Sequence, residues 1–192
     1  MKQSRFIIVF LVINLFILIL IQGCIPLNNV HNIDTYEIKK GKPRSKNTYK
    51  KYTKYMYTNN SPHQIVIKFL EDKFDTTSAD GWFFSTSEKL FLDENIEFTI
   101  TFILETKQQR YLNLFNLFYS SNNDDYYYDS ELDDPVQDGE KYRYVSVTIS
   151  GDGGVDYLAE NSALRDRLIV YLKNLKREYE VYRHNYNFIN GK

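Results

Sequence analysis

The sequence predicts an α+β fold: an antiparallel sheet of four to five strands packed against an N-terminal helix and a long C-terminal helix. Three observations carry this. "IEFTITFIL" alternates apolar and polar residues at the period of a half-buried strand. Leu164, Leu168, Tyr171, Leu172, Leu175, Tyr179 and Tyr182 recur at helical spacing near the end of the chain. Ser61-Pro62 opens a shorter segment with a second helical stripe. Strands grouped between two helices, rather than alternating with them, make a two-layer α+β domain.

Ser61 reads as an N-cap with Pro62 at the first helical position. Val66, Ile67, Leu70 and Phe74 then share a face, opposite Gln64, Lys68, Glu71 and Asp75. The helix should stop near Asp75, before a loop of Thr76, Thr77, Ser78 and Gly81. "GWFFSTSEKLFL" offers two short strands, Trp82–Ser85 and Lys89–Leu92, and Trp82-Phe83-Phe84 is expected in the core rather than as a glycan platform. Ile96, Phe98, Ile100, Phe102 and Leu104 form the inward side of the next strand. "ETKQQR" reads as a polar turn after it. "YLNLFNLFYS" then fits a return strand, although Asn113, Asn116 and Ser120 would also line a helix; the poor helix propensity of Asn favours the strand. Tyr142–Ser150 is a strand with Val145, Val147 and Ile149 inward, and Asp152-Gly153 a tight hairpin turn. A helix of six turns, from about Asn161 to Tyr182, closes the chain and is long enough to cross a sheet.

Ahead of this domain, Lys2 and Arg5 precede an apolar run, Phe6 to Ile21, whose only polar member is Asn14. As a helix it spans about 24 Å, short of the roughly 30 Å hydrocarbon core. A cationic start, a short apolar run and a small residue at its end make an export signal. The chain's single cysteine follows directly, and Ile21-Gln22-Gly23-Cys24 resembles the lipobox of bacterial lipoproteins. The resemblance covers the leader alone. It implies that the thiol of Cys24 is joined to diacylglycerol, that cleavage makes Cys24 the first mature residue, and that its amine is then acylated. Two or three acyl chains hold a protein to a bilayer where one holds it weakly. A lone cysteine forms no intrachain disulfide, which agrees with a thiol consumed by lipid. The address implied is the bacterial cell envelope, and Ile25, standing where an aspartate would signal inner-membrane retention, favours the outer membrane. An uncleaved transmembrane anchor and an ordinary signal with a chance cysteine are the alternatives.

Charge divides the mature chain. Residues 25–60 hold eight Lys/Arg against Asp34 and Glu37, whereas residues 61–192 hold fourteen against twenty-three carboxylates. The expected organisation is a signal peptide over 1–23, the lipidated Cys24 and a basic flexible tether over 24–60, and an acidic domain over 61–192. Asn28, Asn29, Asn32, Gly41, Pro43, Asn59 and Asn60 interrupt any period in the tether, whose root-mean-square span would be roughly 30 Å. Within it, "KKGKPRSKNTYKKYTKYMY" interleaves Lys and Tyr. Ammonium groups pair with phosphates and Tyr rings settle at interfaces, so the segment suits a solvated linker first and anionic lipid or glycan next; Tyr49, Tyr52, Tyr55 and Tyr57 could instead begin a first strand. Nucleic acid does not fit an exported, anchored chain.

Chemistry is sparse. His31 lies in the tether, His63 in a first helical turn and His184 beyond the last helix; no pair has metal-ligand spacing, no serine sits in a nucleophile elbow, and no cofactor motif occurs. "SGDGGVDY" lacks the lysine and following helix of a phosphate loop. Asn122 to Glu140 is the most distinctive stretch, with eight carboxylates, no Lys or Arg, and three consecutive tyrosines. Asp124, Asp125, Tyr126, Tyr127, Tyr128, Asp129, Asp133 and Asp134 are the candidate surface for a basic protein partner. A solvated loop is the plainer reading, and calcium binding lacks the EF-hand spacing. The functional expectation is a non-catalytic lipoprotein, held to the membrane by its N-terminal lipid and binding a protein partner, in one form as an immunity-type protein. The alternatives are a small-molecule or glycan binder and, last, a hydrolase.

Overall fold

The computed structural model describes residues 8–12, 14, 24–42, 44–46, 48–76, 81–114 and 136–189. The strands are β1 (Cys24–Pro26), β2 (Glu37–Lys39), β3 (Lys54–Thr58), β4 (Phe83–Glu88), β5 (Phe98–Asn113) and β6 (Val136–Ser150). The helices are α1 (Thr48–Lys51), α2 (His63–Phe74) and α3 (Arg165–Ile189). Strand order is β1-β5-β6-β3-β2 with β4 also on β5, so the protein is α+β with an antiparallel sheet and a long closing helix.

The chain divides into two units, residues 1–31 with 108–141 and residues 32–107 with 142–192; β5 and β6 contribute residues to both. In the larger unit, the period of two turns Phe98, Ile100, Phe102 and Leu104 of β5 to one face, with Val145, Val147 and Ile149 of β6 and Tyr55 and Tyr57 of β3. Against that face lie Val66, Phe69 and Leu70 of α2 and Leu168, Leu172, Leu175 and Tyr179 of α3. Phe69 meets Tyr179 edge-on at 5.5 Å, and Phe84 meets Phe102 at 5.9 Å. Each such side chain, fully buried, contributes about 1.5–3 kcal/mol. Helix α2 ends at Asp75, whose left-handed backbone (φ 48°) returns its N–H to the Glu71 carbonyl.

Four expectations need correction. The chain from 25 to 60 is no tether where it is described. Tyr55 pairs with Val147 and Tyr57 with Val145, so β3 lies inside the sheet, and Tyr55, Met56 and Tyr57 are buried. The signal was short: in "KYMYT" only the two tyrosines face the core, and Lys and Thr on the alternate positions mask them. Ser61 does not cap α2; Pro62 holds the cap position without a side-chain bond. Ser61 is buried instead, its N–H donating to Asn59 Oδ1 at 3.2 Å, while Asn59 Nδ2 donates to the Ser61 carbonyl and Tyr179 Oη donates to Asn59 Oδ1 at 3.0 Å. Third, "ETKQQR" is not a turn. It lacks Gly, Pro, Asn and Asp, and β5 runs through it to Asn113, with Glu105 and Lys107 paired along one face at 2.7 Å. Tyr111–Asn113 therefore end β5 rather than begin a return strand, and the rest of that segment, 115–120, lies outside the described residues.

The fourth correction concerns the β4 region. One strand, Phe83–Glu88, replaces the two expected; Lys89–Leu92 is irregular, although Leu90 and Phe91 pack on the core. Trp82 precedes the strand and is 48% exposed, so only Phe84 of the aromatic trio is fully buried. Other expectations hold. The stripe of α3 is as expected, the helix itself running on to Ile189. The reversal after β6 is a 3-10 turn at Asp152–Gly154, made possible by Gly153 and Gly154 at φ 69° and 78°, and closed by a bridge between Ser150 and Asp156.

The smaller unit pairs β1 with the end of β5: Cys24 opposite Asn113, Ile25 opposite Leu112, Pro26 opposite Tyr111. Leu27 N–H continues the ladder to the Arg110 carbonyl at 2.8 Å. Asn28 extends it with a side chain, giving its amide N–H to the Gln108 carbonyl and accepting from Arg110 N–H. Ile8–Val12 and Asn14 are helical, and Asn14 turns its amide back onto the Phe10 carbonyl at 2.8 Å. Among the described residues no helix is long and apolar enough to cross a membrane.

Candidate functional site

The face of the sheet turned away from α2 and α3 carries the most concentrated chemistry in the larger unit. Alternation puts Lys54 and Met56 of β3, Ser146 of β6, and Glu105 and Lys107 of β5 on that face. Lys39 of β2 stands directly opposite Lys54 in the ladder. The turn after β2 and the start of α1 add Lys40, Lys42 and Lys50. Gly41 lets that turn close: a Cβ there would collide with the backbone of Lys51, and Lys42 N–H donates to the Lys50 carbonyl at 2.7 Å. The result is an open groove of about 620 Å³ lined by six lysines and one carboxylate.

Electrostatics within it are tense. Burial depresses the Lys54 pKa; Glu105 partly opposes this, and Lys107, Lys50 and Lys39 push the same way as burial. Burial alone would raise the Glu105 carboxyl, but the hydrogen bond from Lys107 and the charges of Lys107, Lys54 and Lys50 hold it below its usual range. Lys39 reaches Glu37 at 3.4 Å and Lys40 reaches Glu160 at 3.0 Å, both as exposed pairs of small energetic weight. On the floor, Ser146 is 1% exposed and its Oγ has no hydrogen-bond partner among the described residues. Lys107 Nζ also stands 5.6 Å from the ring of Tyr144.

A second hollow of about 420 Å³ lies beside Ile38, Lys51, Thr53 and Asp156. Of its two carboxylates, Asp156 and Glu160, the first is already engaged in holding the fold. Asp156 accepts from Thr53 N–H at 2.7 Å and from Leu158 N–H at 3.2 Å, tying the start of β3 to the segment after the turn.

The histidines do not converge. His63 is half-buried at the start of α2, its Nε2 without a hydrogen-bond partner among the described residues, and burial with the Arg143 charge lowers its pKa. His184 lies within α3 and is exposed, not beyond the helix as expected, and His31 precedes β2. Among the described residues no group of three His, Cys, Asp or Glu side chains is placed to hold a metal ion. Cys24 is exposed as a free thiol at the first position of β1, followed by exposed Ile25 (47%) and Leu27 (50%). Asp124, Asp125, Tyr126, Tyr127, Tyr128, Asp129, Asp133 and Asp134 lie outside the described residues. The last part of that acidic stretch is strand: Val136 opens β6, and Asp138 pairs with Arg110 at 3.6 Å.

No protein-family model, curated protein or solved structure matches this chain. The interleaved Lys/Tyr segment supplies Lys39, Lys40, Lys42, Lys50 and Lys54 to the groove. What it lacked was Lys107 and Ser146, which come from strands distant in the chain and join the groove only through pairing.

Proposed function

We propose that this protein is a lipid-anchored lipoprotein of the bacterial cell envelope, non-catalytic, that works by binding. The observation that supports the anchor is Cys24 itself: an exposed thiol on the first residue of β1, behind an apolar leader and a lipobox-like sequence. With Cys24 as the first mature residue, β1 begins at the anchor without a spacer. The smaller unit would then ride at the headgroups rather than roughly 30 Å above them. Exposed Ile25 and Leu27 suit that position, since an apolar side chain next to an acyl anchor gains from partial burial in the interface. In cells fed labelled palmitate, wild type is expected to take label and Cys24→Ser to take none; equal labelling refutes the anchor.

The partner reading assigns the segment from Asp124 to Asp134 to a basic protein. Its support is the run of carboxylates and tyrosines without a single Lys or Arg. Crosslinking the tagged protein in its native cells tests it: a partner captured by wild type should be lost when Asp124, Asp125, Asp133 and Asp134 are changed to Asn. Retention of that partner refutes the assignment. A second reading, a lipoprotein that binds a small ligand, is favoured by the lysine groove.

A further inference from the structure

We infer that the hollow beside Ile38, Thr53 and Asp156 binds a small monocarboxylate through Arg165. Ile38 packs on the core from its place opposite Tyr55, which puts the hollow on the helix side of the sheet and the lysine groove on the other. Its charges do not pair off. Two carboxylates and three cations line it, and the oxygens of both carboxylates are already engaged. Asp156 accepts backbone N–H groups on each oxygen, and Glu160 faces Lys40 with both of its own, at 3.0 and 3.1 Å. Arg165 and Lys51 are left over: neither makes an ion pair or a side-chain hydrogen bond among the described residues.

Arg165 opens α3 and is half-buried. Its Nε is enclosed without a hydrogen-bond partner among the described residues, an arrangement that costs free energy rather than supplying it. Nη1 and Nη2 are neither enclosed nor bonded among the described residues, and they form the planar fork that meets a carboxylate two-pronged. Thr53, which is buried, and Asn161, which is exposed, line the same hollow, and neither side chain makes a hydrogen bond among the described residues. One excess positive charge in the lining matches one carboxylate. Asp156 and Glu160 would repel the second charge of a phosphate or a dicarboxylate. Ile38 and Ala159 offer apolar surface to a short stem, whereas no aromatic ring is present to stack on a base or sugar. A volume of about 420 Å³ admits a short branched acid or the last residues of a peptide, which present the same head group. The assignment depends neither on lipid at Cys24 nor on the lysine groove.

The test is calorimetric titration of the full-length protein in neutral detergent. Two probes separate the sources: 3-methylbutanoate for a free acid, and acetyl-alanyl-leucine for a peptide end. The amide of each, equal in shape and uncharged, is the control, and sodium phosphate tests the class. Arg165→Gln should melt within about 2 °C of wild type without ligand, since the side chain makes no bond in the fold. It should bind the matching acid at least about tenfold more weakly, the factor expected for one lost charge-assisted hydrogen bond. Arg165→Lys, which keeps the stem and the charge, should retain more affinity than Arg165→Gln. Binding of 3-methylbutanoate supports a free acid as ligand, and binding of acetyl-alanyl-leucine alone supports a peptide end. No binding of either acid overturns the site, as does an amide that binds as tightly as its acid. Phosphate binding as tightly as the acids, or Arg165→Gln binding as wild type does, overturns it equally.

Discussion

A chain beginning at Ser61 should fail to fold, although the charge division places a domain boundary there. The truncation removes β3, and with it the buried side chains of Tyr55, Met56 and Tyr57. At about 1.5–3 kcal/mol each, these three contribute roughly 5–9 kcal/mol. Loss of Asn59 removes the acceptor of Tyr179 Oη and the donor to the Ser61 carbonyl, adding about 1–3 kcal/mol for lost buried hydrogen bonds. The sum is comparable with the whole stability of a typical domain, about 5–15 kcal/mol. Truncation also bares the edge of β6 from Tyr144 to Val147, a hydrogen-bonding template for aggregation. Urea denaturation followed by circular dichroism would compare residues 61–192 with residues 24–192 carrying Cys24→Ser. The longer chain should unfold cooperatively, and Tyr57→Ala within it should cost about 3–5 kcal/mol, the range for emptying a large aromatic site. A 61–192 fragment that unfolds cooperatively with the midpoint of the longer chain would refute the reasoning.

Three further outcomes follow from buried groups. Burial pushes Tyr55 up to about 12, so its hydroxyl stays neutral in the fold while the unfolded chain ionises near 10; stability is whole below about pH 10 and lost as pH rises through about 12. Tyr55→Phe should move the base-unfolding midpoint upward, read by phenolate absorbance. For His63 the folded pKa is lowered by burial and by Arg143, so its contribution is full above about pH 6.5 and is lost as pH falls from there through the folded value; His63→Phe should flatten the dependence of Tm on pH between about 7 and 5. Tyr179→Phe should cost about 1 kcal/mol and Asn59→Ala about 2–4 kcal/mol in urea unfolding, because Asn59 serves both Ser61 and Tyr179.

How much was legible depends on how far apart the interacting residues lie. The stripe from Leu168 to Tyr179, the inward set from Phe98 to Leu104, and Val145, Val147 and Ile149 were all readable, because each is a local period imposed by one helix or strand on one core. Tyr55 and Tyr57 were ambiguous: two aromatic rings within five residues, flanked by lysines, are as compatible with a solvated linker as with a strand. Their partners Val147 and Val145 decide the matter, and they lie far along the chain.

The α+β class, the core faces and the terminal helix were thus determined by the sequence alone, since side-chain periodicity is a property of consecutive residues. Only the tertiary structure decided where the larger unit begins and where its charge collects. Lys39 faces Lys54 because of strand register, and Lys107 and Ser146 join them because β5 and β6 are neighbours in the sheet. Register and strand order are pairings between distant segments, and no local pattern encodes them. The basic segment that looked like a spacer is therefore one wall of a groove, and its charge acquires a position only when the sheet closes around it.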